Sequence, residues 1–196
     1  MEEERSERWL TVPNGITYVR FALIPVFVVL HLTGKPGWAL TVFVVAAASD
    51  GIDGLLARLL NQRSKLGALL DPIADKLLVF SALVTLVIES RLPLLLLVLI
   101  LFRDGWMIVG AAVVKHKHLE LPARPSRVGK YATFSLAVLV VLALADQYAA
   151  DSEALHAYTA VMGFIAGLCV VISTFQYFAR FGYLLFAPAR PQTPEG

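Results

Sequence analysis

Hydrophobic residues along this chain fall into six long blocks, separated by short joints of charge, glycine and proline. The blocks run roughly over residues 16–32, 37–60, 68–88, 92–114, 128–145 and 154–178. Each approaches the ~20 mostly apolar residues that a helix needs to cross a bilayer core. Gly34, Pro36 and Gly37 break the chain after the first block, and residues 89–93 after the third. Pro122 and Pro125 interrupt the joint after the fourth, and residues 146–153 form the joint after the fifth. The pattern predicts an all-α integral membrane protein with six transmembrane helices. A single domain over residues 13–186 is expected, with a juxtamembrane segment at 1–12 and a proline-rich tail at 187–196 expected to be disordered.

Composition agrees. Of the 196 residues, 58% are hydrophobic, above the about 45–50% usual in a soluble domain, and the mean hydropathy is +0.70. A formal charge of +2, with no basic run and no interleaved aromatics, argues against a nucleic-acid partner. The one cysteine, Cys169, lies in an apolar block and has no partner for a disulfide or a zinc pair; it reads as a small buried hydrophobe. The acidic start does not resemble a signal-peptide n-region, so the first block is expected to be retained. Trp9 and Leu10 beside Arg5 and Arg8 suit either a helix lying on the headgroups or a frayed end.

Basic residues orient the chain. With the N-terminus in the cytoplasm, that side holds Arg5, Arg8, Arg20, Arg58, Arg63, Lys65, Lys115, Lys117, Arg124, Arg127, Lys130, Arg180 and Arg190, against Lys35 and Arg91 opposite. The positive-inside rule and an even number of spans therefore put both termini in the cytoplasm, in what is expected to be a bacterial inner membrane.

The chemistry concentrates in residues 49–76, SDGIDGLLARLLNQRSKLGALLDPIADK. Asp50, Asp53, Asp71 and Asp75 stand there at the edges of apolar blocks. An ionised carboxylate in a membrane costs several kcal/mol, roughly 2.5–3.5 by insertion scales, and four together repel one another. Asp50 and Asp53 are at i, i+3, and Asp71 and Asp75 at i, i+4, so each pair shares a helix face. A tight turn near 61–65 can bring the two pairs together near the cytoplasmic surface. Their oxygens are hard ligands suited to Mg²⁺ or Mn²⁺. Gly51 and Gly54 leave room for a ligand, and Arg58, one turn on, offers a forked donor to phosphate. Neutralisation of the four by Arg58, Lys65 and Lys76 is the competing structural reading. The spacing and the two glycines favour a site for phosphoryl-type transfer.

This stretch resembles the signature of the CDP-alcohol phosphotransferase family, D-x₂-D-G-x₂-A-R-x₈-G-x₃-D-x₃-D. Asp50, Asp53-Gly54, Ala57-Arg58, Gly67, Asp71 and Asp75 fit every fixed position and gap. The resemblance implies two divalent ions held by Asp50, Asp53 and Asp71, with Asp75 touching metal and acting as general base. It implies a CDP pocket lined by Gly54, Ala57, Arg58 and Gly67, transfer of a phosphatidyl group from CDP-diacylglycerol to an alcohol, and release of CMP. It also implies a homodimer among membrane lipids. Pro13-Asn14-Gly15-Ile16-Thr17 and Arg20 look like the opening of the first span in phospholipid-synthesising members, so Asn14 and Thr17 are expected at the nucleotide; as a helix start, Asn14 also suits an N-cap.

The acceptor is read from a second set of charges. Arg103-Asp104 lies within the fourth block, and Arg124, Arg127 and Lys130 crowd one cytoplasmic joint, a set able to bind the phosphate of glycerol 3-phosphate. Positive-inside topology and contact with anionic lipid explain the joint equally well. Residues 125–130 with Thr133 resemble the Gly-Lys-x-x-Thr segment of phosphatidylglycerophosphate synthases and cardiolipin synthases. The former often show Arg-Glu and a further arginine in the fourth span; here Arg103 is followed by Asp104 and the second arginine is absent. The expected acceptor is glycerol 3-phosphate, with phosphatidylglycerol and then an inositol phosphate as alternatives. A metal-ion transporter is the alternative of another class. Its acidic path would continue across the membrane, whereas this cluster is one-sided. His116 and His118, at i, i+2, are poorly placed to share a metal.

Overall fold

Inside an apolar medium a backbone must satisfy its own polar groups, and a helix does so within one segment. Each of the six blocks forms one in a computed structural model of the chain: α1 Val12–Leu32, α2 Pro36–Leu59, α3 Lys65–Ile88, α4 Leu94–His116, α5 Arg127–Tyr148 and α6 Glu153–Phe186. The structure describes residues 12–59, 65–116, 127–149 and 152–186, with side chains over 15–49, at 67, and over 70–110, 112–113, 128–149 and 152–179. The segment 1–11, the α2–α3 turn and the expected disordered tail lie outside the described residues. Among the described residues, three stretches are long and apolar enough to cross a membrane, Gly15–Leu32, Val128–Tyr148 and Glu153–Ala179, and α2 adds a shorter apolar run, Pro36–Ser49. The remaining helices carry the charges singled out above.

The chain divides into two compact units, one reaching to Leu92 with Ala137–Ala160, the other Pro93–Leu136 with the chain from Val161 onward. In the first, Arg20 meets Ser49 and Phe27 meets Phe43. Numbers rise on α1 as they fall on α2, so the two helices are antiparallel. Thr17 meets Asp71 and His31 meets Glu89, so α1 and α3 run parallel. Small buried residues, Ala39, Ala46, Ala74 and Ala82, let these helices approach closely, the packing that apolar surroundings favour.

Helices α1 and α3 end alike. Lys35 N donates to Leu30 O and Gly34 N to His31 O, with Gly34 at φ 71°. Arg91 N donates to Leu86 O and Ser90 N to Val87 O, with Ser90 at φ 59°. Both are Schellman caps, which need a left-handed residue at the position after the helix. Glycine takes that conformation freely; Ser90 takes it at a cost.

In the second unit, Leu96 lies beside Gly167, Arg103 bonds Ser173, and Trp106 stacks on Phe178. The near-constant offset makes α4 and α6 parallel and in register. Ile100, Ala132, Leu136, Ala166 and Val170 fill the space around these contacts.

Candidate functional site

Asp71 and Asp75 stand one turn apart on α3, both half-buried. Pro72 between them has no N–H, so the turn carrying Asp71 lacks one i→i−4 hydrogen bond. Gly67, one turn earlier, is buried. The hydroxyl of Thr17, on α1, donates to Asp71 Oδ1 across 54 residues of sequence. Thr17 is only 1% exposed, so the neighbouring chain holds this donor in place. Thr17, expected at the nucleotide, thus also touches one of the expected metal ligands.

Asp50 and Asp53 lie on α2, which packs against α3. Their side chains, with that of Arg58 and the surroundings of Gly54 and Ala57, are outside the described residues, as is the side chain of Asn14. Arg20 and Ser49 define the adjacent turn. Arg20 is fully buried, and its Nε donates to Ser49 Oγ at 3.4 Å; Ser49 in turn donates to Ala46 O at 2.7 Å. Arg20, counted above among the cytoplasmic charges, is thus a brace between α1 and the turn that precedes Asp50.

Among the described residues, no three His, Cys, Asp or Glu converge as metal ligands; Asp50 and Asp53 fall outside that set. The chemistry of the donors nonetheless fits a hard divalent cation. The motif supplies only carboxylate oxygens, and the one described donor onto Asp71 is a neutral hydroxyl, the kind of outer contact that orients metal ligands.

The second unit holds the expected acceptor residues. Arg103 is 5% exposed. Its Nε donates to Ser173 Oγ at 3.2 Å, Nη1 to Asp104 Oδ1 at 3.1 Å, and Nη2 to Gly129 O at 3.1 Å. Lys130 is exposed at the start of α5. Arg127 begins α5 with its side chain outside the described residues, and Arg124, Lys117 and His118 lie outside them altogether.

Sequence reasoning missed a polar cluster at the other end of α3. Glu89 follows Asp71 by eighteen residues, about 27 Å along a helix and close to the thickness of a bilayer core. Its Oε2 accepts from Gln147 Nε2 at 2.7 Å and lies 3.2 Å from His31 Nε2. His31 is fully buried against Phe27. Beside the cluster, Asp146 Oδ2 lies 3.3 Å from His156 Nδ1, and the Tyr148 ring covers Gly37 so closely that a Cβ there would sit 2.7 Å from it. The available signal was weak: single polar residues near the ends of three apolar blocks.

Comparison with known proteins places these observations. A family model described as CDP-alcohol phosphatidyltransferase matches residues 10–175. A cardiolipin synthase (CMP-forming) of Streptomyces coelicolor is 41% identical over 138 residues, covering 67% of this chain and 64% of that protein. A CDP-diacylglycerol--glycerol-3-phosphate 3-phosphatidyltransferase of Pseudomonas fluorescens is 49% identical over 118 residues, 58% of this chain and 54% of that protein. Human cardiolipin synthase (CMP-forming) is 37% identical over 113 residues, 57% of this chain and 38% of that protein. The chain thus spans from 38% to 64% of the length of these curated relatives. With the family model covering most of its length and both halves of the aspartate motif, the chain belongs to the CDP-alcohol phosphatidyltransferase family.

Proposed function

We propose that this chain transfers a phosphatidyl group from CDP-diacylglycerol to the hydroxyl of a glycerol phosphate, releasing CMP. The observation that carries this reading is the buried contact between Thr17 and Asp71. It joins the two segments that resemble phospholipid-synthesising members of the family, the opening of the first span and the aspartate motif. Mg²⁺ or Mn²⁺, as two ions on Asp50, Asp53, Asp71 and Asp75, would neutralise the pyrophosphate of the donor. Asn14, Gly54, Ala57, Arg58 and Gly67 line the CDP pocket, with Arg58 forking onto phosphate, and Thr17 holds Asp71 in position. Asp75 takes the proton of the acceptor hydroxyl as its oxygen bonds the lipid-bearing phosphorus. The bond from that phosphorus to the oxygen of CMP breaks.

Glycerol 3-phosphate is the first acceptor, bound by the basic residues of the α4–α5 joint. Phosphatidylglycerol, which presents the same glycerol phosphate as a diester, is the second. It is favoured by the engagement of Arg103 with protein groups, which leaves less charge for a phosphate monoester. Alternating helix directions in the first unit support a bundle of six spans. The Asp71 end would then face the cytoplasm of a bacterial inner membrane together with both termini, and the protein would act as a homodimer. Purified chain in nanodiscs, given CDP-diacylglycerol and either acceptor, should release CMP with formation of the matching lipid. Release with neither acceptor would sink the proposal, and release with phosphatidylglycerol alone would move it to cardiolipin formation.

A further inference from the structure

Arg103 was expected to bind the acceptor's phosphate. Its surroundings suit another task. Three of the five donors of a guanidinium are aimed at three different protein groups: the Ser173 hydroxyl on α6, the adjacent Asp104 carboxylate, and the backbone carbonyl of Gly129. The last contact is the informative one. Gly129 is buried in the first turn of α5, and with no side chain there a buried arginine on α4 can reach the main chain. The same carbonyl accepts from Thr133 Oγ1 at 3.1 Å, so the first turn of α5 is held from outside and from within. Gly129, Lys130 and Thr133 are the residues of the Gly-Lys-x-x-Thr segment. Ser173 fixes the guanidinium from the far side, and the Trp106–Phe178 stack at 5.1 Å repeats the α4–α6 contact just beyond it.

We propose that Arg103 is a positioning residue, clamping the first turn of α5 so that Lys130 meets the acceptor's phosphate, and that it is not itself the phosphate's ligand. Asp104 neutralises the buried charge where it stands, and a phosphate would have to compete for donors whose directions are already set. Exposed Lys130 carries no such commitments. Ser173 belongs to the same device, although it is no part of the family motif. This inference rests on the reading of the acceptor as a glycerol phosphate, but the clamp can be tested without it.

The test uses the full chain in nanodiscs, comparing the parent with Arg103→Lys, Ser173→Ala and Ser173→Thr. Amide hydrogen exchange over residues 128–133 reads the clamp, and steady-state kinetics read the acceptor. Lysine keeps the charge but has no fork to reach three directions. Arg103→Lys and Ser173→Ala should both speed exchange in that turn. Both should raise the KM for the acceptor about tenfold, leaving kcat and the KM for CDP-diacylglycerol within about twofold. Ser173→Thr, which keeps the hydroxyl, should restore parental values. Near-parental acceptor KM in Arg103→Lys, with exchange unchanged, would show that charge alone matters and would overturn the clamp. Faster exchange with an unchanged acceptor KM would overturn its link to the acceptor. A parent that turns over neither glycerol 3-phosphate nor phosphatidylglycerol would sink the proposed function instead, while the exchange rates still decide the clamp.

Discussion

The hydroxyl of Thr17 donates to Asp71 Oδ1, tying the first helix to the third at the family motif. Thr17 is buried, so the surrounding chain holds its hydroxyl beside Asp71. Loss of an outer contact of this kind typically costs about 10–100-fold in metal affinity. Thr17→Val should therefore raise the Mg²⁺ or Mn²⁺ concentration needed for half-maximal CMP release by about tenfold or more. Thr17→Ser should stay near the parent. If Thr17→Val instead raises only the KM for CDP-diacylglycerol at saturating metal, Thr17 serves the nucleotide.

Removing divalent metal with excess chelator should abolish CMP release, and Mg²⁺ or Mn²⁺ should restore it. The four carboxylates of the motif, gathered as proposed, would without cations oppose the binding of a pyrophosphate. Undiminished turnover in chelator, by protein that is still folded, would rule out metal dependence.

Asp75→Asn retains shape and one oxygen able to touch metal but loses basicity. Loss of a general base costs about 10²–10⁴-fold in rate. A collapse of kcat with CDP-diacylglycerol affinity largely kept is expected, whereas Asp50→Asn should weaken metal and nucleotide binding together. Turnover of Asp75→Asn within a few-fold of the parent would assign the proton to another group.

At the other end of α3, Glu89→Ala would leave Gln147 Nε2 without its acceptor and His31 without its carboxylate neighbour. A buried polar group left unsatisfied costs about 1–3 kcal/mol. Glu89→Ala should lower the melting temperature in detergent while leaving kcat and KM of the folded fraction unchanged. A fall in kcat with undiminished stability would give this cluster a catalytic role instead.

Ser90→Gly should have the opposite sign. Ser90 caps α3 at φ 59°, a conformation that costs a residue with a Cβ roughly 1–2 kcal/mol. Part of that gain is offset by the greater freedom of glycine in the unfolded chain. A stabilisation of up to about 1 kcal/mol is expected, read from the midpoint of thermal unfolding. A destabilised variant would mean that the serine hydroxyl contributes more than the strain costs.

The chain by itself determined the six helices, because apolar blocks of this length have one economical backbone solution and the glycine and proline joints mark its limits. Helices α1 to α5 begin and end within about four residues of the blocks, whereas α6 runs on to Phe186, well past the end of its block. It also determined the family, since Asp50, Asp53, Asp71 and Asp75 stand at fixed spacing with Gly54, Ala57, Arg58 and Gly67 between them, and both facts are local in sequence. Tertiary structure alone decided what each remaining polar residue touches. Thr17 met Asp71, Arg20 became a buried brace on Ser49, and Arg103 met Ser173 and the Gly129 carbonyl. The His31–Glu89–Gln147 cluster left only isolated polar residues near block ends in the sequence, and its assembly was not legible there. The physical reason is the same in each case. A helix's length and apolar character follow from its own residues, but a hydrogen bond between helices depends on their relative rotation and register, which the packing of distant segments decides.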